Sequence, residues 1–177
     1  MTIYKAPNFK PFNTRQKSYM VFLAGSIEMG EAENWQDFAG ELISNAGYVV
    51  LNPRRDNWDS SWEQTIENKQ FREQVEWELK GLEEAEVVLV HFDPDTKSPI
   101  TLLEVGMLSM LKPKRTFISC PPDYWRRGNV EIVSARYKMP LFDSLQGAVG
   151  ALLQKLTATK VSRMESAAAL ERSMRKP

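Results

Sequence analysis

Apolar residues in this chain gather in short unbroken runs, separated by longer stretches of mixed character. "YMVFLAG" (Tyr19–Gly25), "YVVLNP" (Tyr48–Pro53), "EVVLVHF" (Glu86–Phe92) and "RTFISC" (Arg115–Cys120) are such runs, and a short fifth one lies near "KMPLF". Runs of this length without alternation predict strands buried on both faces. The stretches between them carry helical periodicity. Trp35, Phe38, Leu42 and Ile43 fall on one face of a helix that Gly47 ends. A long helical segment is expected from about Trp62 through "FREQVEWELKGLEEA", another in "SPITLLEVGML", and a last one in "SLQGAVGALLQKL". Residues 1–17 read as an irregular lead-in, and "PPDYWRRGNV" as a loop. Strands alternating with helices predict an α/β fold: a mostly parallel sheet of five strands with helices on both faces.

One residue breaks the pattern. In "SPITLLEVGML", Ser98 is expected as the N-cap and Pro99 as the first helical residue. Ile100, Leu102, Leu103, Val105, Met107 and Leu108 are then all expected to be buried, yet Glu104 sits among them. An ionised carboxylate in apolar surroundings is costly unless it is paired, hydrogen-bonded or used. The bland alternative is that Glu104 caps a backbone or pairs with Arg54 or Arg55.

Composition narrows the function classes. The chain has 177 residues, which fits one domain over 1–177, with a core over about 19–157 and a tail over 158–177 that has good helix formers. Lys+Arg and Asp+Glu are both 23, so no net charge draws the protein to a nucleic-acid polymer or an anionic membrane. One Cys and one His exclude an intrachain disulfide framework and argue against a Cys/His zinc site. The polar, Pro-punctuated start has no apolar segment of a secretory signal, and no run approaches a membrane span, so a cytoplasmic protein is expected.

The polar segments fall at the carboxyl ends of the expected strands, where open α/β sheets bind ligands. "GSIEMG" has neither the dinucleotide spacing nor the Lys-Ser/Thr of a P-loop, and Glu28 and Glu31 make it a poor phosphate cradle. Gly25, Ser26 and Ile27 of this turn either touch a ligand or merely shape a glycine turn. In "NPRRDNWD", Asn52, Arg54, Asp56 and Trp58 are candidate substrate-binding residues; surface ion pairs are the alternative for the arginines. Trp58, Trp62, Tyr124 and Trp125 are candidates to stack on a planar ligand. Glu104, in reach of a ligand at this edge, suits nucleophilic attack on a sugar anomeric carbon, with a second acid from Asp93, Asp95 or Glu78. Only one of Glu76 and Glu78 can face inward, and His91, inside a strand, reads as structural.

"FLAGSIEMG", "LNPRRDNWD", "FREQVEWEL", "SPITLLEVG" and "RRGNVEIV", in this order over residues 19 to 150, resemble the nucleoside 2-deoxyribosyltransferase family, in its type II-like branch. A deoxynucleoside 5'-monophosphate N-glycosidase is a more distant likeness. The resemblance implies a flavodoxin-like, Rossmann-like five-stranded sandwich. It implies Glu104 of "LLEVG" as the nucleophile and Glu78 as the acid that helps hold the substrate. It matches the family's further aspartate loosely to Asp93 or Asp95. Asn129 matches a polar residue that completes the pocket of a neighbouring subunit, so at least a homodimer is expected. The implied substrates are 2'-deoxynucleosides and free purine or pyrimidine bases, and no cofactor or metal is implied. The alternatives are hydrolysis of a nucleoside or of a deoxynucleoside monophosphate, and a non-enzymatic nucleotide sensor. The relative acting on monophosphates has a basic residue where Glu28 stands, and this favours a free nucleoside.

Overall fold

A computed structural model describes residues 2–13, 19–28 and 32–174, with side chains of the last helix to residue 168. The order is β1 (Thr2–Lys5), β2 (Met20–Gly25), α1 (Trp35–Asn45), β3 (Val49–Asn52), α2 (Lys69–Glu84), β4 (Val87–His91), α3 (Pro99–Leu111), β5 (Thr116–Ser119), α4 (Arg127–Tyr137), β6 (Leu141–Phe142) and α5 (Leu145–Met174). All strand pairs are parallel, in the spatial order β1-β3-β2-β4-β5-β6. Without the edge strand β1 this is the flavodoxin-like order, whose ligand crevice lies where successive connections part to opposite sides, here between β2 and β4.

Alternation along each strand sorts the core into two layers. Phe22 and Ala24 of β2 meet Val88 and Val90 of β4, under Trp77 and Leu82 of α2, Val105 and Leu108 of α3, and Val130 of α4. Val21 and Leu23 face the other way, against Trp35, Ala39 and Ile43 of α1 and Leu152 and Leu156 of α5. One close approach fixes the first layer. A Cβ at Gly81 would lie 2.3 Å from the Phe22 ring, so glycine lets α2 lie directly on β2.

Several expectations change. The lead-in contains a sixth strand: Thr2–Lys5 pairs along β3, and the Ala6 N–H continues the ladder to the Asn52 carbonyl at 3.1 Å. Residues 14–17 of that lead-in lie outside the described residues. The helix expected from Trp62 starts at Lys69, where Asn68 is the N-cap and accepts from the Phe71 N–H at 3.0 Å. Asn129 and Gly128 are in the first turn of α4, not in a loop, and no side chain caps that helix. On α3 the buried stripe is Thr101, Glu104, Val105 and Leu108, while Ile100 and Leu103 are each 61% exposed. On α1, Trp35 and Ile43 are buried, but Phe38 and Leu42 lie on the flank of the stripe and are partly exposed.

Candidate active site

A cavity of about 480 Å³ opens at the carboxyl edge of the sheet, under α2 and α3. Its floor comes from Ala24 and Gly25 at the end of β2, and one wall from Pro53, Arg54, Arg55 and Trp58 after β3. Glu78 enters from α2 and Glu104 from α3. Phe71, Val75, Ile100, Leu103 and Met107 make most of the remaining lining apolar. Gly25 has to be glycine: its φ is +148°, and a Cβ would meet the His91 carbonyl at 2.3 Å.

The two glutamates define the electrostatics. Glu104 is 8% exposed, and burial pushes its pKa up to about 8, with the charge of Glu78 adding to the shift. No cation among the described residues pairs with Glu104, so the alternative of an ion pair with Arg55 drops out. Glu78 is pushed up to about 7 by desolvation, partly offset by a hydrogen bond from Gln74. Gln74 Nε2 donates to Glu78 Oε1 at 2.9 Å and to the Pro53 carbonyl at 2.8 Å. Both acids are thus pushed toward their protonated forms, and the Gln74 hydrogen bond favours the charged form of Glu78. Glu76, the other inward candidate, points to Arg72 at 3.7 Å.

Behind this pair the loops are tied by hydroxyls and a carboxylate. Ser26 Oγ lies 2.8 Å from Thr96 Oγ1 and 2.5 Å from Ser98 Oγ, and it accepts from the Asp93 N–H at 2.9 Å. Ser98 stands at the N-cap position with φ +48° and makes no side-chain cap bond. Glu28 does that work instead: its Oε1 accepts from the N–H of Lys97 at 2.9 Å and of Ser98 at 2.6 Å. An acid at a helix N-terminus satisfies orphan donors and complements the dipole. Glu31 lies outside the described residues.

The residues singled out in the sequence thus separate. Gly25, Ile27, Arg54, Trp58, Glu78 and Glu104 line the cavity. Ser26 and Asn52 are buried supports; Asn52 Oδ1 accepts from the Arg54 N–H at 2.9 Å. Asp56 is exposed and faces Lys5. Asp93 and Asp95 line a separate, more open groove on the α1 side, together with His91 and Trp35. Burial pushes the His91 pKa down to about 4 against the opposing charge of Asp93, so the ring is neutral near pH 7; it packs 5.1 Å from the Trp35 ring, and its Nδ1 lies 3.0 Å from Ser119 Oγ. Asn129 is exposed on α4, outside the cavity of its own chain. Arg127 is committed to Glu131 and Asp143, at 2.8 Å each, and Arg126 stacks on Trp125. Of the other aromatic candidates, Trp62 packs edge-on against Trp58, and Tyr124 packs in the core against Phe92. Gln74 and Arg55 were not singled out as ligand-contacting residues. Gln74, one turn before Glu78, carried the available signal.

The sheet has the flavodoxin-like order, and a buried pair of acids lies at its switch point, the edge where open α/β sheets bind ligands. The model of the family described as nucleoside 2-deoxyribosyltransferase like matches residues 18–124, and the chain belongs to that family. No individually curated protein matches it. Among the described residues, no helix is long and apolar enough to cross a membrane.

Proposed function

We propose that the protein is a nucleoside deoxyribosyltransferase that exchanges the base of 2'-deoxynucleosides. The observation that carries this reading is the placement of buried Glu104 and Glu78 in one largely apolar cavity. In the first step the Glu104 carboxylate forms a bond to C1', and the electron pair of the C1'–N bond leaves with the base. The proton of Glu78 goes to that base. A second base then attacks C1', gives its proton to Glu78 and frees the Glu104 carboxylate. Two inversions give net retention. The scheme needs Glu104 ionised and Glu78 protonated when the base leaves, and positive charge developing at C1' favours the ionised Glu104. Asp93 and Asp95, in the other groove, are poorly placed for the acid role, and Glu78 takes it in this scheme.

Glu28 supports a free nucleoside over a monophosphate, because its carboxylate already holds the N–H groups at the head of α3 that a phosphate would use. A homodimer or higher oligomer is the expected working form. Ile100, Leu103, Met107 and Met110 repeat along the outer face of α3 at helical spacing, continuous with the cavity mouth. Asn129 and Ile132 share an exposed face of the adjacent α4, which supports a role for Asn129 in completing a partner's cavity. The working location is the cytoplasm.

The test is mass spectrometry with a slow 2'-fluoro-2'-deoxynucleoside. A covalent sugar adduct on Glu104, absent in Glu104→Gln, is expected; an adduct on another residue overturns the assignment. Incubation of deoxyinosine with free adenine then separates transfer, which yields deoxyadenosine, from hydrolysis, which yields only hypoxanthine and free sugar.

A further inference from the structure

Three residues that line the cavity each hold a buried polar atom without a hydrogen-bond partner: Gln74 Oε1, Trp58 Nε1 and Arg55 Nη1. Leaving such groups unpaired costs free energy, so each asks for a partner that a ligand would bring. Gln74 is the firmest case, at 4% exposure. Its orientation is fixed by chemistry: Nε2 donates to both the Pro53 carbonyl and Glu78. Turning the amide over would set oxygen against both acceptors. Oε1 is therefore the acceptor left without a protein partner, and the two other atoms are donors. Trp58 is braced by the Trp62 ring at 5.2 Å. Arg55 stacks over the same ring at 4.9 Å, and its Nε is held by Asn57 at 2.9 Å. The wall is thus prepared in shape as well as in polarity.

We infer that Gln74, Trp58 and Arg55 read the base of the substrate, and that they select a lactam base without an exocyclic amine, such as hypoxanthine, uracil or thymine. This rests on the nucleoside reading above. The count decides it. One acceptor and two donors in the wall match one N–H beside a carbonyl, whose oxygen has two lone pairs. An amino base brings two N–H bonds to a wall with one acceptor and sets an amine near two donors. The chemistry points the same way. When the C1'–N bond breaks, its electron pair spreads onto a lactam carbonyl oxygen, where the Arg55 guanidinium and the Trp58 indole N–H stabilise it. Departing adenine has no such oxygen; guanine and cytosine have one, and it is their exocyclic amine that the wall disfavours.

Ligand-observed NMR titration of the intact protein with free bases up to millimolar concentration tests this. Hypoxanthine is expected to bind at least tenfold tighter than adenine. 1-Methylhypoxanthine, which lacks the N–H for Gln74, is expected to lose at least tenfold. Trp58→Phe keeps the ring and removes the donor, and Arg55→Met removes the other donor. Each is expected to weaken hypoxanthine by about five- to thirtyfold and adenine by less than threefold, in protein whose thermal melt shows it folded. Equal or tighter binding of adenine, equal losses for both bases, no effect of 1-methylation, or no binding of either base overturns the inference. Selective hypoxanthine binding without a Glu104 adduct instead overturns only the transferase reading.

Discussion

The carboxylate of Glu28, on the loop after β2, accepts the Ser98 N–H at 2.6 Å and so holds the head of the helix that carries Glu104. Both residues take left-handed backbone conformations, with φ of +44° and +48°. The strain of two such non-glycine residues has to be offset by the contact they make.

Glu28→Ala is therefore expected to destabilise the fold by about 1 kcal/mol, the usual cost of losing a helix cap. Urea denaturation measures it. Glu28→Gln keeps an acceptor oxygen and should lose less. If both variants match the wild type within a few tenths of a kcal/mol, the contact does not hold the helix.

The acid pair makes stability depend on pH. The folded-state pKa of Glu104 is raised to about 8, above the ordinary glutamate value of 4.5. Between those values the native state binds more protons than the unfolded chain, so stability falls as pH rises. Glu104→Gln removes this liability. Its melting temperature should exceed the wild type by a few degrees at pH 8, since about 1 kcal/mol moves a domain of this size by roughly 2–4 °C. The gain should shrink toward zero near pH 4.5. A gain independent of pH would show that Glu104 is not held in an apolar site.

Gly81 sets the distance between α2 and the sheet. Gly81→Val places a branched side chain where a Cβ would already lie 2.3 Å from the Phe22 ring. Overpacking of this kind costs about 1–3 kcal/mol. Glu78 lies one turn earlier on the same helix, so activity should fall beyond what the unfolded fraction explains. Denaturation and steady-state assays on the same preparation separate the two effects.

The outer stripe of α3 bears on assembly. Leu103→Glu, at a position 61% exposed in the single chain, should leave the fold intact. It should lower the sedimentation coefficient toward that of a monomer if this face joins subunits. Unchanged sedimentation of an oligomeric protein would move the interface elsewhere.

How far the sequence reaches can be judged from particular residues. The four central strands, β2 to β5, are legible because burial on both faces leaves their apolar runs unbroken, and the edge strand β6 shows only as the short run near "KMPLF". Strand β1 is not legible, because "TIYK" is a short edge strand whose two apolar residues sit between exposed polar ends, and edge strands carry little apolar signal. The late start of α2 was within reach, since Asn68 is a good N-cap. Ile100 and Leu103 misled because α3 is apolar nearly all round, and periodicity cannot choose its inner face. Glu104 stood out as an isolated carboxylate, and its cavity lining follows from that. The separation of Asp93 and Asp95 from Glu104 did not, because it depends on which side of the sheet a loop turns to. The orphaned atoms of Gln74, Trp58 and Arg55 appear only once neighbours are known.

The chain's opening residues act as a splint for the far wall of the cavity. Strand β1 and Ala6 grip β3 through Asn52, and the Asn8 carbonyl accepts the Trp77 indole N–H at 2.9 Å. The segment with Arg55 and Trp58 leaves from that same strand, and Glu78 follows Trp77 directly. At the opposite extremity, Leu156 is the last buried residue described, and the side chains of α5 beyond it face outward nearly throughout. An attached label or surface tether is thus best tolerated on the outer half of α5. The same attachment at the first strand would work loose the wall that meets the ligand, although it lies on the edge of the sheet.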